Sequence, residues 1–367
     1  MVDTFILQLN RGKFTILDYS KFNTTEETIL NDRSGFRKWI NNATKKDKDN
    51  QVYKPRLTLI KRGYEITLKI EFSAPKIIFK NNVDELENED FELLIKELRD
   101  KLKDMGVLVF SKYLEEANVL SFHPSKNILL KNGYTSTFVL KELSKADIDS
   151  RLDLDSKEYT CGKVVQFYSN SHSFVIYDKV GDLNESKKRA IDKDKTQYQT
   201  NIFDAIKIKM PTAEILRIEI RLTDKRKMQK ILSEVGFKNE ITFKNIFNKK
   251  LSQKIILLYW DKLFSKSMFV FHIDNNPQSI LQKILRVSPK IKLSKAIKIV
   301  GLYLLSKDEE GLRGFKSIVN SIKKGGWSFI KKTLKVFDHQ IFKECNESFI
   351  KDIEEQLNKF NSLRLKL

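Results

Sequence analysis

The sequence predicts an α+β fold: a central antiparallel sheet with helices, followed by a mainly helical C-terminal domain. Tyr64, Ile66, Leu68, Ile70 and Phe72 alternate with Glu65, Thr67, Lys69 and Glu71, the period of two expected of a half-buried antiparallel strand. EILRIEIRL at 214–222 repeats the alternation, with Leu216, Ile218, Ile220 and Leu222 on one face and Arg217, Glu219 and Arg221 on the other. From about residue 240 the apolar spacing changes to three and four, in SILQKILRVS, SKAIKIVGLYLLS, GLRGFKSIVNSIKK and FIKDIEEQLNKF, which is the helical period. The boundary between two domains is therefore drawn at 238, giving residues 1–238 and 239–367.

In chain order, FILQL at 5–9, KFTIL at 13–17 and RLTLI at 56–60 are further strand candidates. An acidic stretch from Asp84 to Asp90 opens a helix in which Phe91, Leu94, Leu98 and Leu102 recur, with Lys101 and Lys103 near its end and Gly106 beyond it; acids first and bases last suit the helix dipole. NVLSFHPSKNILL reads as a strand and STFVLKELSKA as a short helix. KVVQFYS and SFVIYDK read as two strands joined by the polar turn Asn170, Ser171, His172, with Tyr177 on the second arm. The charge-dense segment from Gly181 to Thr200 is an exposed helix or a loop. DKRKMQKILSEVG then forms a helix with Thr223 as its expected N-cap and Gly236 past its end.

Composition narrows the class. Apolar residues make up 41% and charged residues 32%, with 13 Gly and 6 Pro, which excludes collagen-like and low-complexity chains. The longest charge-free stretches fall short of the roughly 18 to 20 residues of a membrane span. Asp3 stands where a signal peptide would carry lysines, so a cytoplasmic location is expected. Cys161 and Cys345 have no spacing suited to zinc and read as reduced thiols. The 68 Lys and Arg against 48 Asp and Glu give a net charge of +20, the footprint of a phosphate-bearing partner. Residues 236–367 hold 26 basic and 12 acidic side chains, or +14 of that charge. Six cations, Lys283, Arg286, Lys290, Lys292, Lys295 and Lys298, fall between Pro277 and Ser306 without one acid. A Lys-rich genome would produce the same composition, so charge alone does not prove nucleic-acid binding.

A site directed at phosphate needs a nucleophile, a cationic clamp and groups that hold a metal. Tyr177 and Lys179, two residues apart, place a phenol and an ammonium on one side of the strand, where the cation would stabilise a phenolate or the phosphate it attacks. The competing reading of Tyr177 is a packed amphipathic side chain. Glu219, flanked by Arg217 and Arg221, is a candidate metal ligand or a member of a solvated charge ladder. His123 in SFHPSKN is one of four histidines and could donate an imidazole to a metal. His172 reads as a solvated turn residue, and His272 and His339 have no partner by spacing.

MVDTFILQL, SFHPSKN, GKVVQFYSNSHSFVIYDKVGDL and EILRIEIRL with its basic helix occur in the order of the corresponding blocks of filamentous-phage gene II type replication initiators. The chain also resembles the trans-acting plasmid Rep initiators of rolling-circle replication, over roughly residues 1 to 240. The resemblance implies an HUH-like nicking endonuclease, with Tyr177 as nucleophile forming a 5'-phosphotyrosine and freeing a 3'-hydroxyl primer. It further implies Glu219 and His123 as ligands of a divalent metal, Mg or Mn, with Lys179 beside the nucleophile. One departure stands out: the chain has no His-hydrophobic-His pair, so imidazole and carboxylate would share the metal. Origin DNA is the implied partner, contacted by Arg217, Arg221 and the six C-terminal cations, with a host helicase as a further one. The alternatives are a non-enzymatic nucleic-acid-binding protein of a mobile element, and an RNA-binding protein that stacks bases on sheet aromatics.

Overall fold

The computed structural model describes residues 1–50, 52–79, 81–146, 153–159, 162–184, 214–265, 276–306, 311–323, 325–341 and 349–364. Its strands are β1 (Val2–Asn10), β2 (Thr15–Ile16), β3 (Phe36–Asn41), β4 (Arg56–Arg62), β5 (Glu65–Ser73), β6 (Val107–Leu108), β7 (Asn118–Leu129), β8 (Asp153–Tyr159), β9 (Gly162–Tyr168), β10 (His172–Asp178) and β11 (Ile215–Leu222). Nine of them form one sheet in the order β3-β4-β5-β1-β7-β11-β10-β9-β8, and β2 pairs with β6 apart from it. Every pairing is antiparallel. The expected strand at 13–17 shrinks to Thr15–Ile16, because Leu17 turns away to donate to the Gly106 carbonyl.

The helices are α1 (Glu26–Asn31), α2 (Lys45–Asp49), α3 (Ala74–Ile78), α4 (Phe91–Asp104), α5 (Ser111–Glu115), α6 (Ser136–Lys145), α7 (Lys179–Asn184), α8 (Lys225–Glu234), α9 (Phe243–Ile246), α10 (Lys249–Trp260), α11 (Pro277–Val287), α12 (Leu293–Leu305), α13 (Gly311–Ile322), α14 (Gly326–Ile341) and α15 (Phe349–Lys359). The α4 stripe is buried as its spacing predicts, at Phe91, Leu94, Leu98 and Leu102. The N-cap of α8 is Asp224, one residue later than expected; its carboxylate accepts from the Lys227 amide at 2.8 Å.

Alternation sorts the sheet into two faces. On one, Phe5 lies against Phe72 and Phe122 and meets Phe243 of α9 and the following Phe247, Phe72 also meets Phe243, and Phe174 stacks on Tyr259 of α10. This core also takes in Phe349, Ile353 and Leu357 of α15. The Gln356 amide donates to the Leu129 carbonyl at 2.8 Å and accepts from the Leu129 amide at 3.0 Å, so a side chain from the last helix supplies the backbone pairing at the end of β7. Beyond α15, Leu363 donates to Glu85 at 2.8 Å, Ser362 bonds Glu87, and Arg364 bonds Asp90.

The division at 238 therefore runs through the sheet's own core, since α9, α10 and α15 all pack into it. Residues of α11 to α14 gather into two smaller clusters. Ile280, Ile284, Ala296, Ile299, Val300 and Tyr303 form one, and Leu302, Leu312, Trp327 and Leu334 the other.

Candidate active site

The opposite face of β7, β10 and β11 is polar where those strands sit side by side in the sheet. Strand register places Tyr177 across from Arg217, Val175 from Glu219 and Ser173 from Arg221, with Asn127 and Ser125 of β7 beside Arg217 and Glu219. Apolar positions 216, 218, 220 and 222 of β11 are committed to the core, so the three charged ones must share the other face.

Arg217 and Glu219 are not solvated: Tyr177 is 8% exposed, Glu219 3%, Arg217 1% and Lys179 0%, which is at odds with a solvated charge ladder along β11. The Tyr177 hydroxyl donates to Glu219 Oε2 at 3.4 Å. Glu219 Oε1 accepts from Arg221 Nε at 2.8 Å and lies 3.3 Å from His123 Nδ1. The structure thus brings His123, Tyr177 and Glu219 into one cluster. His123 lies within β7, and the chain continues through Pro124 as strand.

Lys179 reaches the same place by another route. The strand ends at Asp178, and Lys179 opens α7 instead of extending the strand. Its ammonium nevertheless lies 5.7 Å from the centre of the Tyr177 ring. Asp182 Oδ2, at 3.7 Å, is an ion-pair partner, but the amine makes no hydrogen bond. Arg217 bonds Asp3 Oδ1 at 3.4 Å, and its Nε also lacks a hydrogen-bond partner. Asp3, which sequence reading passed over as a functional residue, is thus part of the cluster. Its signal is the single charged side chain of β1, and its role depends on β1 pairing with β7.

The charges are mutually adjusted. Burial would raise the Glu219 carboxyl, but Arg221 and His123 outweigh it and hold Glu219 well below the usual carboxylate range. Burial drives the Tyr177 phenol well above its usual value, with Arg217 opposing. Burial pushes Lys179 down to about 7, and Arg217 adds to the effect. Burial would lower Arg217 too, but Asp3, Tyr177 and Glu219 prevail and it stays cationic.

Chemically, the cluster holds a phenol between a fixed carboxylate and two buried cationic groups, an arrangement suited to stabilising anionic charge at the phenol oxygen. His123 Nδ1 and Glu219 Oε1, 3.3 Å apart, are spaced as two neighbouring ligands of one cation. Among the described residues no third His, Cys, Asp or Glu joins them. The pair mixes a carboxylate oxygen, the donor type of Mg and Mn, with an imidazole nitrogen, the donor type of softer ions, so a cation held there would draw its remaining ligands from water and substrate phosphate.

The other candidates separate. Arg221 keeps 40% of its side chain exposed and can meet a backbone phosphate, whereas Arg217 is enclosed. Tyr168, the other tyrosine of the β9–β10 hairpin, pairs with Ser173 and Tyr177 with Val164, so the two tyrosines stand at opposite ends of that hairpin. His172 is packed on Tyr259, with ring centres 5.6 Å apart, and is not a solvated turn residue. Cys161, Cys345, His272 and most of the 181–200 segment lie outside the described residues. Among the described residues no helix is long and apolar enough to cross a membrane.

No family model and no curated protein matches the sequence. Among solved structures, the rolling circle replication initiator protein from Geobacillus stearothermophilus aligns at 10% identity over 83% of this chain and 96% of that one, with a TM-score of 0.33. At that score the likeness carries no weight, and the functional reading rests on the cluster itself.

Proposed function

We propose that this chain is a rolling-circle replication initiator that nicks one DNA strand at an origin, with Tyr177 as its nucleophile. The observation that carries the reading is the meeting of Tyr177, Glu219 and His123 within 3.4 Å contacts, beside the buried Arg217 and Lys179. In the proposed step the Tyr177 Oη attacks the scissile phosphorus, the P–O3' bond breaks and a 5'-phosphotyrosine forms. The phenolic proton is made up on the departing 3'-oxygen, which leaves as a hydroxyl primer. Phosphodiester is exchanged for phosphodiester, so no oxidant or nucleotide is consumed.

Each residue has a role in this scheme. Glu219 accepts the phenol's hydrogen bond and fixes its direction. Arg217 and Lys179 oppose negative charge as it develops on the phenol oxygen and the phosphoryl group. The Lys179 amine, pushed down to about 7, is the neighbour of Tyr177 that changes charge near neutral pH. His123 and Glu219 would hold a divalent cation, which when bound supplies Lewis-acid polarisation of the phosphate. Arg221, at the exposed rim, would contact the DNA backbone.

The test is incubation of the protein with supercoiled plasmid carrying its own origin, with and without Mn. The reading requires a relaxed circle covalently joined to protein at Tyr177. Absence of any adduct, with the protein folded and DNA bound, would favour a non-enzymatic nucleic-acid-binding protein.

A further inference from the structure

Residues 277–305 form two helices joined by a tight connection, Ser288 to Lys292. Their facing sides are filled by Ile280 and Ile284 of α11 and Ala296, Ile299, Val300 and Tyr303 of α12, and α14 packs against both. Such a unit needs no contribution from the sheet to fix the angle between its helices.

The outward side of α12 has a particular chemistry. Lys292, Leu293, Ser294, Lys295, Ile297 and Lys298 are all exposed, with Leu293 at 58% and Ile297 at 55%. No acid occurs between 277 and 306 to neutralise the lysines. Exposed aliphatic side chains also occur on the neighbouring helix at Ile318 and Ile322, so what sets this face apart is their interleaving with three lysines and no acid, and a protein-docking face would be poor in lysine. Cations interleaved with a hydroxyl and aliphatic groups on the first turns of a second helix match what duplex DNA presents. The major groove offers base edges and thymine methyls between two rows of phosphate.

We propose that α11 and α12 form a helix–turn–helix reader of duplex DNA, with the N-terminal half of α12 entering the major groove. Ser294 and Ile297, one helical turn apart, meet base edges, while Lys292, Lys295 and Lys298 contact the flanking phosphates. This rests on the nicking reading only for its purpose, since an initiator must find its origin before it cuts.

The experiment uses the full chain carrying Tyr177→Phe, so that binding is read without cleavage. A pool of random duplexes is selected for binding, and affinities for the selected and for random duplexes are measured at several salt concentrations. Ser294→Ala with Ile297→Ala should cut the preference for the selected sequence by roughly 10- to 100-fold. Affinity for random duplex and its salt dependence should be left alone. Lys292, Lys295 and Lys298 together changed to Gln should weaken binding to every duplex and flatten the log-log salt slope by about 2 to 3, at roughly 0.9 per phosphate contact. All five side chains are exposed, and an unchanged melting curve verifies that the variants fold. Enrichment of no sequence, or a preference that survives Ser294→Ala with Ile297→Ala, overturns the proposal. So does an unchanged salt slope, or tighter binding to anionic phospholipid vesicles than to duplex. Adduct formation by the wild-type chain is scored separately, so the reader can fail while the nicking reading stands, and the reverse.

Discussion

Changing Tyr177 to Phe removes one long hydrogen bond from a buried site, which costs stability only about 0.5 to 1.5 kcal/mol. Covalent attachment to DNA should vanish all the same, and a mass shift on digested adduct, or its absence, decides the matter. Lys179 gives the opposite balance. An amine that is 0% exposed and makes no hydrogen bond destabilises the fold, so Lys179→Met should raise stability by about 1 to 3 kcal/mol while slowing adduct formation. The sign with pH follows. The folded value near 7 lies below the unfolded value near 10.5, so the unfolded chain binds more protons between them, and the wild type gains stability as pH rises through that window. The advantage of Lys179→Met should be greatest below pH 7 and narrow toward pH 10, as read from denaturant midpoints. Glu219 was legible as a chemistry-bearing position because alternation sets a charge apart on an otherwise apolar strand, whereas Tyr177 and His123 were singled out chiefly by the resemblance of their segments. Their burial was not legible, nor was Asp3, because both depend on which distant strands become neighbours.

Strands β5 and β11 were readable from period two, α4, α11 and α12 from their three- and four-residue spacing, and α8 from the residues that flank it. Element ends were less so. Lys179 starts a helix where the strand pattern could have continued, and Asp224 takes the N-cap because it precedes the first helical residue and accepts from the Lys227 amide. The β9–β10 hairpin carries its own pH response. His172 accepts or donates at Nδ1 with Ser169 and Ser171 at 2.8 and 3.0 Å. Burial, then the nearby Lys227 and Lys262, pushes its pKa down to about 4. A histidine kept neutral in the fold leaves stability intact above its unfolded value near 6.5 and erodes it as pH falls from there toward 4. Thermal melts across that range should show the loss, and His172→Gln should flatten it; an equally steep loss in His172→Gln would assign the response to other groups.

At the scale of the whole chain, the change of period near 240 was visible in sequence, but the return of the last helix to the sheet was not, since nothing local in FIKDIEEQLNKF names its partner. Leu357, fully buried in the sheet's core, should cost about 2 to 5 kcal/mol when changed to Ala. A fragment ending at 238 should lack cooperative unfolding, because α9, α10 and α15 leave with the removed part. A sharp, two-state melt from that fragment would refute this. Gln356 supplies the pairing for Leu129 from 227 residues away, and that separation bears on synthesis. A ribosome delivers β7 long before the side chain that finishes its hydrogen bonding. The half-built sheet must therefore wait, with an unsealed strand end and an uncovered apolar face, while the helical segment is translated. A pause or premature stop in that interval should send the nascent chain toward aggregation or chaperones, so this protein is expected to be more sensitive to translation speed over codons 240–350 than over its first hundred.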